Sequence, residues 1–173
     1  MAQETLVLTI MSEDRPGIIN ELSTVLADAN GSWVESSMMS LDGKFAGILS
    51  ASLPIENTDS FRVALKALDA DGISVRAESA TQQDEQATST TITLELTGQD
   101  RPGLLAQLTG LLSNNRINIV KLSTRCESAS MSGETLFIAN CKAHLPATLN
   151  ADELQEHIEN LADDLVVDIM LET

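Results

Sequence analysis

An internal repeat constrains this chain more than any other feature of its sequence. Asp14-Arg15-Pro16-Gly17 recurs as Asp100-Arg101-Pro102-Gly103, 86 residues further on. At the same offset Ile18 and Ile19 fall on Leu104 and Leu105, and Leu22, Val25 and Leu26 on Leu108, Leu111 and Leu112. Leu6-Val7-Leu8-Thr9-Ile10 meets Ile92-Thr93-Leu94-Glu95-Leu96. A shared period of this length means one supersecondary unit used twice. Further on, Phe45, Leu49, Ala51 and Leu53 match Phe137, Cys141, Ala143 and Leu145 at an offset of 92. The second copy therefore carries an insertion, expected as a Ser- and Gly-rich loop over 127–133. Residues 79–89 are polar and read as a linker. The expected organisation is a first module over 1–79, a linker over 80–89 and a second module over 90–173.

Each copy predicts the same elements. A strand with alternating apolar residues (4–11 and 90–97) precedes a helix expected to open at Pro16 or Pro102, where a missing N–H costs nothing. Ile18, Ile19, Leu22, Val25, Leu26 and Ala29 have the spacing of one buried helix face. Strands are expected near 32–41 and 44–53, joined by the hairpin pair Asp42-Gly43. Their counterparts are expected near 118–126 and 134–145. Second helices are expected near Asn57 and Asn150, the latter with the capping-box spacing to Glu153. Strands over 73–77 and 165–171 close each copy. The order βαββαβ is that of the α+β, ferredoxin-like split-βαβ unit, an antiparallel sheet with two helices on one face. A module of this size buries only about 60% of its chain surface, so pairing of the two copies side by side, or with another chain, is expected, and with it a homo-oligomer.

Charge excludes some functions. The chain has 26 acidic and 10 basic residues and a net charge of −16. Residues 1–80 hold twelve acids and five bases, and 81–173 hold fourteen and five, so neither half is a basic arm. Gripping DNA requires clustered Lys and Arg to neutralise phosphates, and direct nucleic-acid binding is not expected. Only 2% of the residues are aromatic, with one Trp, three Phe and no Tyr, which leaves no platform for stacking bases. No apolar run approaches the roughly 20 residues of a membrane span, and the start of the chain lacks the pattern of a signal peptide. The expected location is cytoplasmic. Cys126 and Cys141 fit no metal or redox spacing, and two histidines, His144 and His157, make a poor metal set. Cys141 takes the place of Leu49 in the repeat, as a core residue would. No catalytic constellation, metal site or cofactor is expected.

The repeated loop is the candidate binding feature. Each copy places Asp-Arg-Pro-Gly between a strand and a helix, and a helix N-terminus offers free N–H groups and a positive dipole end to an anion such as a carboxylate. Gly17 and Gly103 would let a ligand or backbone approach, and Asp14 and Asp100 could accept from an ammonium group. The same residues also suit plain helix capping by Asp with Pro in the first turn.

This turn, followed by Ile-Ile or Leu-Leu in a helix and set in a doubled βαββαβ pattern, resembles the signature of ACT domains. In particular the chain is similar to the glycine cleavage system transcriptional repressor family. Similar turns occur in ACT modules of formyltetrahydrofolate deformylases and nitrogen-regulatory uridylyltransferases, whose catalytic domains would not fit in 173 residues. The resemblance implies a non-enzymatic regulator that binds an amino acid, glycine for example, at an ACT interface. It would control transcription indirectly, through a LysR-type activator as protein partner. The implied ligand-binding residues are Asp100, Arg101, Gly103, Leu104, Leu105, Asn118 and Ile119 in the second module, and Asp14, Gly17, Ile18 and Ile19 in the first. The first has Ser32 and Trp33 where the second has Asn118 and Ile119, so the second is expected to be the better-equipped site. The rival expectation is a protein-interaction module that needs no ligand.

Overall fold

A computed structural model describes residues 2–81, 89–128, 134–161 and 165–171. The chain divides into two compact units, residues 1–83 and 84–173. Most of the expected linker (82–88) and of the expected inserted loop (129–133) lies outside the described residues.

The first unit runs β1 (Gln3–Glu13), α1 (Ile18–Asp28), β2 (Ser32–Leu41), β3 (Lys44–Pro54), α2 (Thr58–Ala67) and β4 (Ile73–Ser79). The second repeats it as β5 (Ser89–Gln99), α3 (Leu104–Asn114), β6 (Asn118–Ser128), β7 (Thr135–Pro146), α4 (Ala151–Glu159) and β8 (Val166–Leu171). Both sheets are antiparallel, ordered β2-β3-β1-β4 and β6-β7-β5-β8. This is the expected α+β ferredoxin-like unit, twice. No helix among the described residues is long and apolar enough to cross a membrane.

Strand alternation builds each core. Leu6, Leu8 and Ile10 of β1 point inward with Leu49, Ala51 and Leu53 of β3, and α1 covers them with Ile18, Leu22 and Leu26. In the second unit Ile92, Leu94 and Leu96 do the same beneath Leu104, Leu108 and Leu112. Cys141 is buried opposite Leu94, where burial pushes its thiol pKa up and keeps it unreactive. Trp33, half-buried, stands opposite Ala51 and packs on the first core, its Nε1 donating to Ser36 Oγ at 3.2 Å.

The turns follow local chemistry. Asp42 and Gly43 both take positive φ (48° and 77°), as a tight hairpin turn requires. Asn150 caps α4: its Oδ1 accepts from the Glu153 N–H at 2.8 Å, and Glu153 Oε2 accepts from the Asn150 N–H at 3.4 Å. Asn57 precedes α2 but its side chain does not cap it; Nδ2 donates instead to the Ala29 carbonyl at 2.9 Å and ties α2 to the end of α1.

Two local expectations are corrected. The first helix of each unit begins at Ile18 or Leu104, not at the proline. Gly17 (φ +100°) and Gly103 (φ +89°) hold the left-handed conformation, which cannot be part of a right-handed helix, so each proline lies in the preceding turn. Ile19, expected on the buried face of α1, is 51% exposed. It precedes Asn20 and Glu21 on the solvent side, while Ile18, Leu22 and Leu26 form the buried stripe.

Candidate functional site

In the first module the β1–α1 loop is held on both sides. Glu13 closes the β1–β3 ladder opposite Lys44, and the Asp14 N–H donates to the Gly43 carbonyl at 2.9 Å. The Asp14 carboxylate accepts from Ser40 Oγ on β2 at 2.6 Å. No side chain caps α1, so Asp14 serves the β2 end rather than the helix. The first helical hydrogen bond runs from the Glu21 N–H to the Gly17 carbonyl at 2.9 Å, leaving earlier N–H groups at the open end of the dipole.

Gly17 is required by its φ and not by a close approach. A Cβ there would come no nearer than 3.6 Å to Glu21 Oε1, and at Gly103 nothing lies within 4 Å. The loop surrounds a hollow of about 230 Å³ lined by Asp14, Arg15, Gly17, Ile18, Ile19, Asn20 and Phe45. That is below the roughly 300 Å³ at which drug-sized pockets begin, and suits a ligand of few atoms. Ile18 is buried and can offer only backbone; Ile19 offers an exposed side chain.

Arg15 is occupied. Its guanidinium forks onto Glu21, with Nη1 to Oε1 at 2.6 Å and Nη2 to Oε2 at 3.1 Å, and Nη2 also donates to the Asp71 carbonyl at 3.2 Å. The hydrogen bond from Arg15 holds the Glu21 carboxyl below its ordinary pKa, and Glu21 raises that of Arg15. In the second module the same position relative to the motif is Gln107, whose Oε1 accepts from Arg101 Nη2 at 3.0 Å. The partner is a neutral amide, so among the described residues Arg101 has no carboxylate ion pair to match the Arg15–Glu21 fork. The Asp100 N–H donates to the Thr135 carbonyl at 2.8 Å, matching Asp14, and the Leu104 N–H donates to the Arg101 carbonyl at 3.3 Å. Leu104 is buried and Leu105 half-buried against the core.

Within one module the structure does not bring all the expected second-module residues together. Asp100, Arg101, Gly103, Leu104 and Leu105 stand at the start of α3, and Asn118 and Ile119 follow its end. The 11 residues of α3 put about 16 Å between these groups. Asn118 is exposed opposite His144, Ile119 packs on the core, and both line a separate hollow of about 370 Å³ with Arg116 and Ser113.

Ser12, which opens the repeated loop, is not among the expected ligand-binding residues. Continuing the alternation of Leu6, Leu8 and Ile10, it turns inward beside the loop and is 6% exposed. Its Oγ is the one buried side-chain polar atom among the described residues with no hydrogen-bond partner. The alternation could have flagged it; in the repeat Gly98 takes its place. Elsewhere, Cys126 is exposed, and no group of three His, Cys, Asp or Glu among the described residues could hold a metal ion.

Comparison with known proteins decides the family. The ACT-domain family matches residues 4–76 and again residues 92–158. The chain belongs to the ACT-domain family. This tandem ACT protein is 24% identical over 167 residues to the glycine cleavage system transcriptional repressor of Escherichia coli (strain K12), covering 95% of this chain and 87% of that one. A UPF0237 protein of Methanosarcina mazei is 32% identical over 85 residues, 49% of this chain and 91% of its own. Among solved structures, an unknown protein from Galdieria sulphuraria superposes with a TM-score of 0.86 at 23% identity, covering 99% of this chain and all of that one. A candidate glycine cleavage system transcriptional repressor gives 0.71 at 20% identity, with coverage of 99% and 100%. These structural likenesses confirm the doubled fold. The ACT-domain matches and the similarity to the curated repressor support a regulatory, ligand-binding role.

Proposed function

We propose that the tandem ACT protein is a non-enzymatic regulator that binds a small amino acid, glycine for example, at an ACT interface. It would control transcription through a protein partner, a LysR-type activator, instead of touching DNA. One observation carries this reading above the others. Both modules present an uncapped helix start behind a left-handed glycine, with an aspartate three residues before that glycine. Free N–H groups suit a ligand carboxylate, and Asp14 or Asp100 suits its ammonium group. Asn118 and Ile119, at the far end of α3, would join such a site only from a different module than the loop they meet. The −16 charge supports control through a protein rather than through phosphate contacts.

The two loops would not be equal. Arg101, paired with the neutral Gln107, favours the carboxylate at the second module. The first lines a hollow of about 230 Å³, with the unpartnered Ser12 hydroxyl on the strand that leads into the loop. Size sets the affinity. Glycine has about five non-hydrogen atoms, and at roughly −1.5 kcal/mol per atom its dissociation constant is low micromolar at best.

Calorimetric titration of the full chain with glycine, serine and alanine tests the reading. Heat and a rise in melting temperature at up to millimolar ligand are expected, weakened by Arg101→Gln. Silence in both measurements would leave a ligand-independent interaction module as the better description.

A further inference from the structure

The helices α1 and α3 end on the same turn, made with different residues. After α1 the Gly31 N–H donates to the Leu26 carbonyl and the Asn30 N–H to the Ala27 carbonyl, both at 2.9 Å. After α3 the Ile117 N–H donates to the Leu112 carbonyl and the Arg116 N–H to the Ser113 carbonyl, again at 2.9 Å. Each end turns on one left-handed residue, Asn30 (φ 55°) in the first copy and Arg116 (φ 57°) in the second. Glycine and asparagine take this conformation routinely, whereas the Cβ of arginine meets the following carbonyl.

The turn itself does not call for an arginine. Backbone donors already satisfy the Leu112 and Ser113 carbonyls, and Asn115 Nδ2 donates to the Leu111 carbonyl at 2.9 Å. Arg15, Lys44, Arg76 and Arg125 are held in ion pairs, but among the described residues the exposed Arg116 guanidinium has neither ion pair nor hydrogen bond. A bulky residue kept in a costly backbone conformation, with its charged group free, points to a use outside the fold.

Arg116 lines the hollow of about 370 Å³ formed by the end of α3 and the start of β6. Ser113 and Asn118 are exposed in its wall and add a hydroxyl and an amide to the N–H groups of the guanidinium. Thr109 is occupied, its Oγ1 donating to the Leu105 carbonyl at 2.9 Å. The chain has 26 acidic residues, yet none lines this hollow. The first copy has the neutral Asn30 and Ser32 where the second has Arg116 and Asn118. We propose that Arg116, Ser113 and Asn118 form a binding site for a small oxyanion, a carboxylate or a phosphate group, in the second module alone. The planar guanidinium fork matches either group with two parallel hydrogen bonds. The negative end of the α3 dipole opposes an anion here, so the site depends on the guanidinium.

Heteronuclear NMR of the full chain tests this, with sodium acetate and sodium phosphate titrated separately at an ionic strength fixed by chloride. Saturable shifts are expected at the amides of Ser113, Arg116, Ile117 and Asn118, with a dissociation constant on the order of millimolar. Saturation by acetate alone marks a carboxylate site and by phosphate alone a phosphate site. Arg116→Asn installs the residue of the first copy. It should weaken binding at least about tenfold and melt no lower than the wild type, because asparagine fits the left-handed turn. Arg116→Lys keeps the charge without the fork and should bind with intermediate strength. Silence with both anions overturns the proposal, as do shifts that survive Arg116→Asn or appear equally at Asn30 and Ser32. A melting point that falls in Arg116→Asn and is restored in Arg116→Lys also overturns it, by assigning the cation to the helix end. The 11 residues of α3 put about 16 Å between this hollow and the Asp100 loop. The glycine titration of the loops and the oxyanion titration can therefore fail separately.

Discussion

Gly103→Ala and Gly110→Ala should shift the stability of the second module in opposite directions. The two glycines belong to one stretch of chain, seven residues apart, and a Cβ added at either meets no heavy atom within 4 Å. Steric clash is therefore absent from both, and what differs is the backbone. Gly103 sits at φ +89° ahead of α3, and Gly110 lies inside the helix. An alanine in the left-handed region costs about 1–2 kcal/mol. The smaller entropy of the unfolded alanine chain returns about 0.4–1 kcal/mol of that, leaving Gly103→Ala less stable by about 1 kcal/mol. Inside a helix alanine is better than glycine by about 0.8–1 kcal/mol. The two variants should therefore differ by about 2 kcal/mol. If the module unfolds by itself, its melting points should separate by about 8–16 °C, and by about half that if the whole chain melts together. Urea and thermal unfolding followed by far-UV circular dichroism measure the difference. Two shifts of the same sign, or no loss at Gly103, would refute the assignment of that glycine to a conformational role.

Acid should weaken the first module through Glu4 and Glu21. Hydrogen bonds from Ser79 and Thr58 lower the Glu4 pKa, and the bond from Arg15 lowers that of Glu21. A carboxyl depressed in the folded state adds stability that is present above its unfolded value, near 4.5, and is lost as pH falls through the lower folded value. Urea midpoints of the wild type and Glu4→Gln should converge as pH drops below that value; parallel curves would count against the hydrogen bonds. Cys126 should react with a thiol reagent in the native protein and Cys141 only on unfolding, because the first is exposed and the second buried with a raised pKa. Two fast thiols would contradict the packing.

Where a residue's local chemistry permits one conformation, the sequence alone revealed it. Asp42-Gly43 could only be a tight turn, Asn150 with Glu153 could only be a cap, and the repeat offset carried the topology of one unit onto the other. The proline of the loop misled because its fixed φ fits the first helical position and the turn before a cap equally well. Only the sign of φ at Gly17 and Gly103 separates the two. The fork between Arg15 and Glu21 was hidden because Arg15 precedes the helix, so helical spacing rules do not apply to it. The burial of Ser12 followed from strand alternation; its missing partner depends on atoms from other elements. The distance between Asp100 and Asn118 follows directly from the length of α3, yet similarity to a family names residues without saying which module each serves.

Trp33 gives the molecule an optical asymmetry. It is the chain's one tryptophan, there is no tyrosine, and the second module contributes only Phe137 to the aromatic set. Emission and near-ultraviolet dichroism therefore originate almost wholly from one module, while its twin is dark. Trp33 stands opposite Ala51 as Ile119 stands opposite Ala143, at the start of the edge strand in each unit. A fluorescence titration thus watches one half of a duplicated protein without any label, and a heat signal that leaves the fluorescence unmoved would be assigned to the other half.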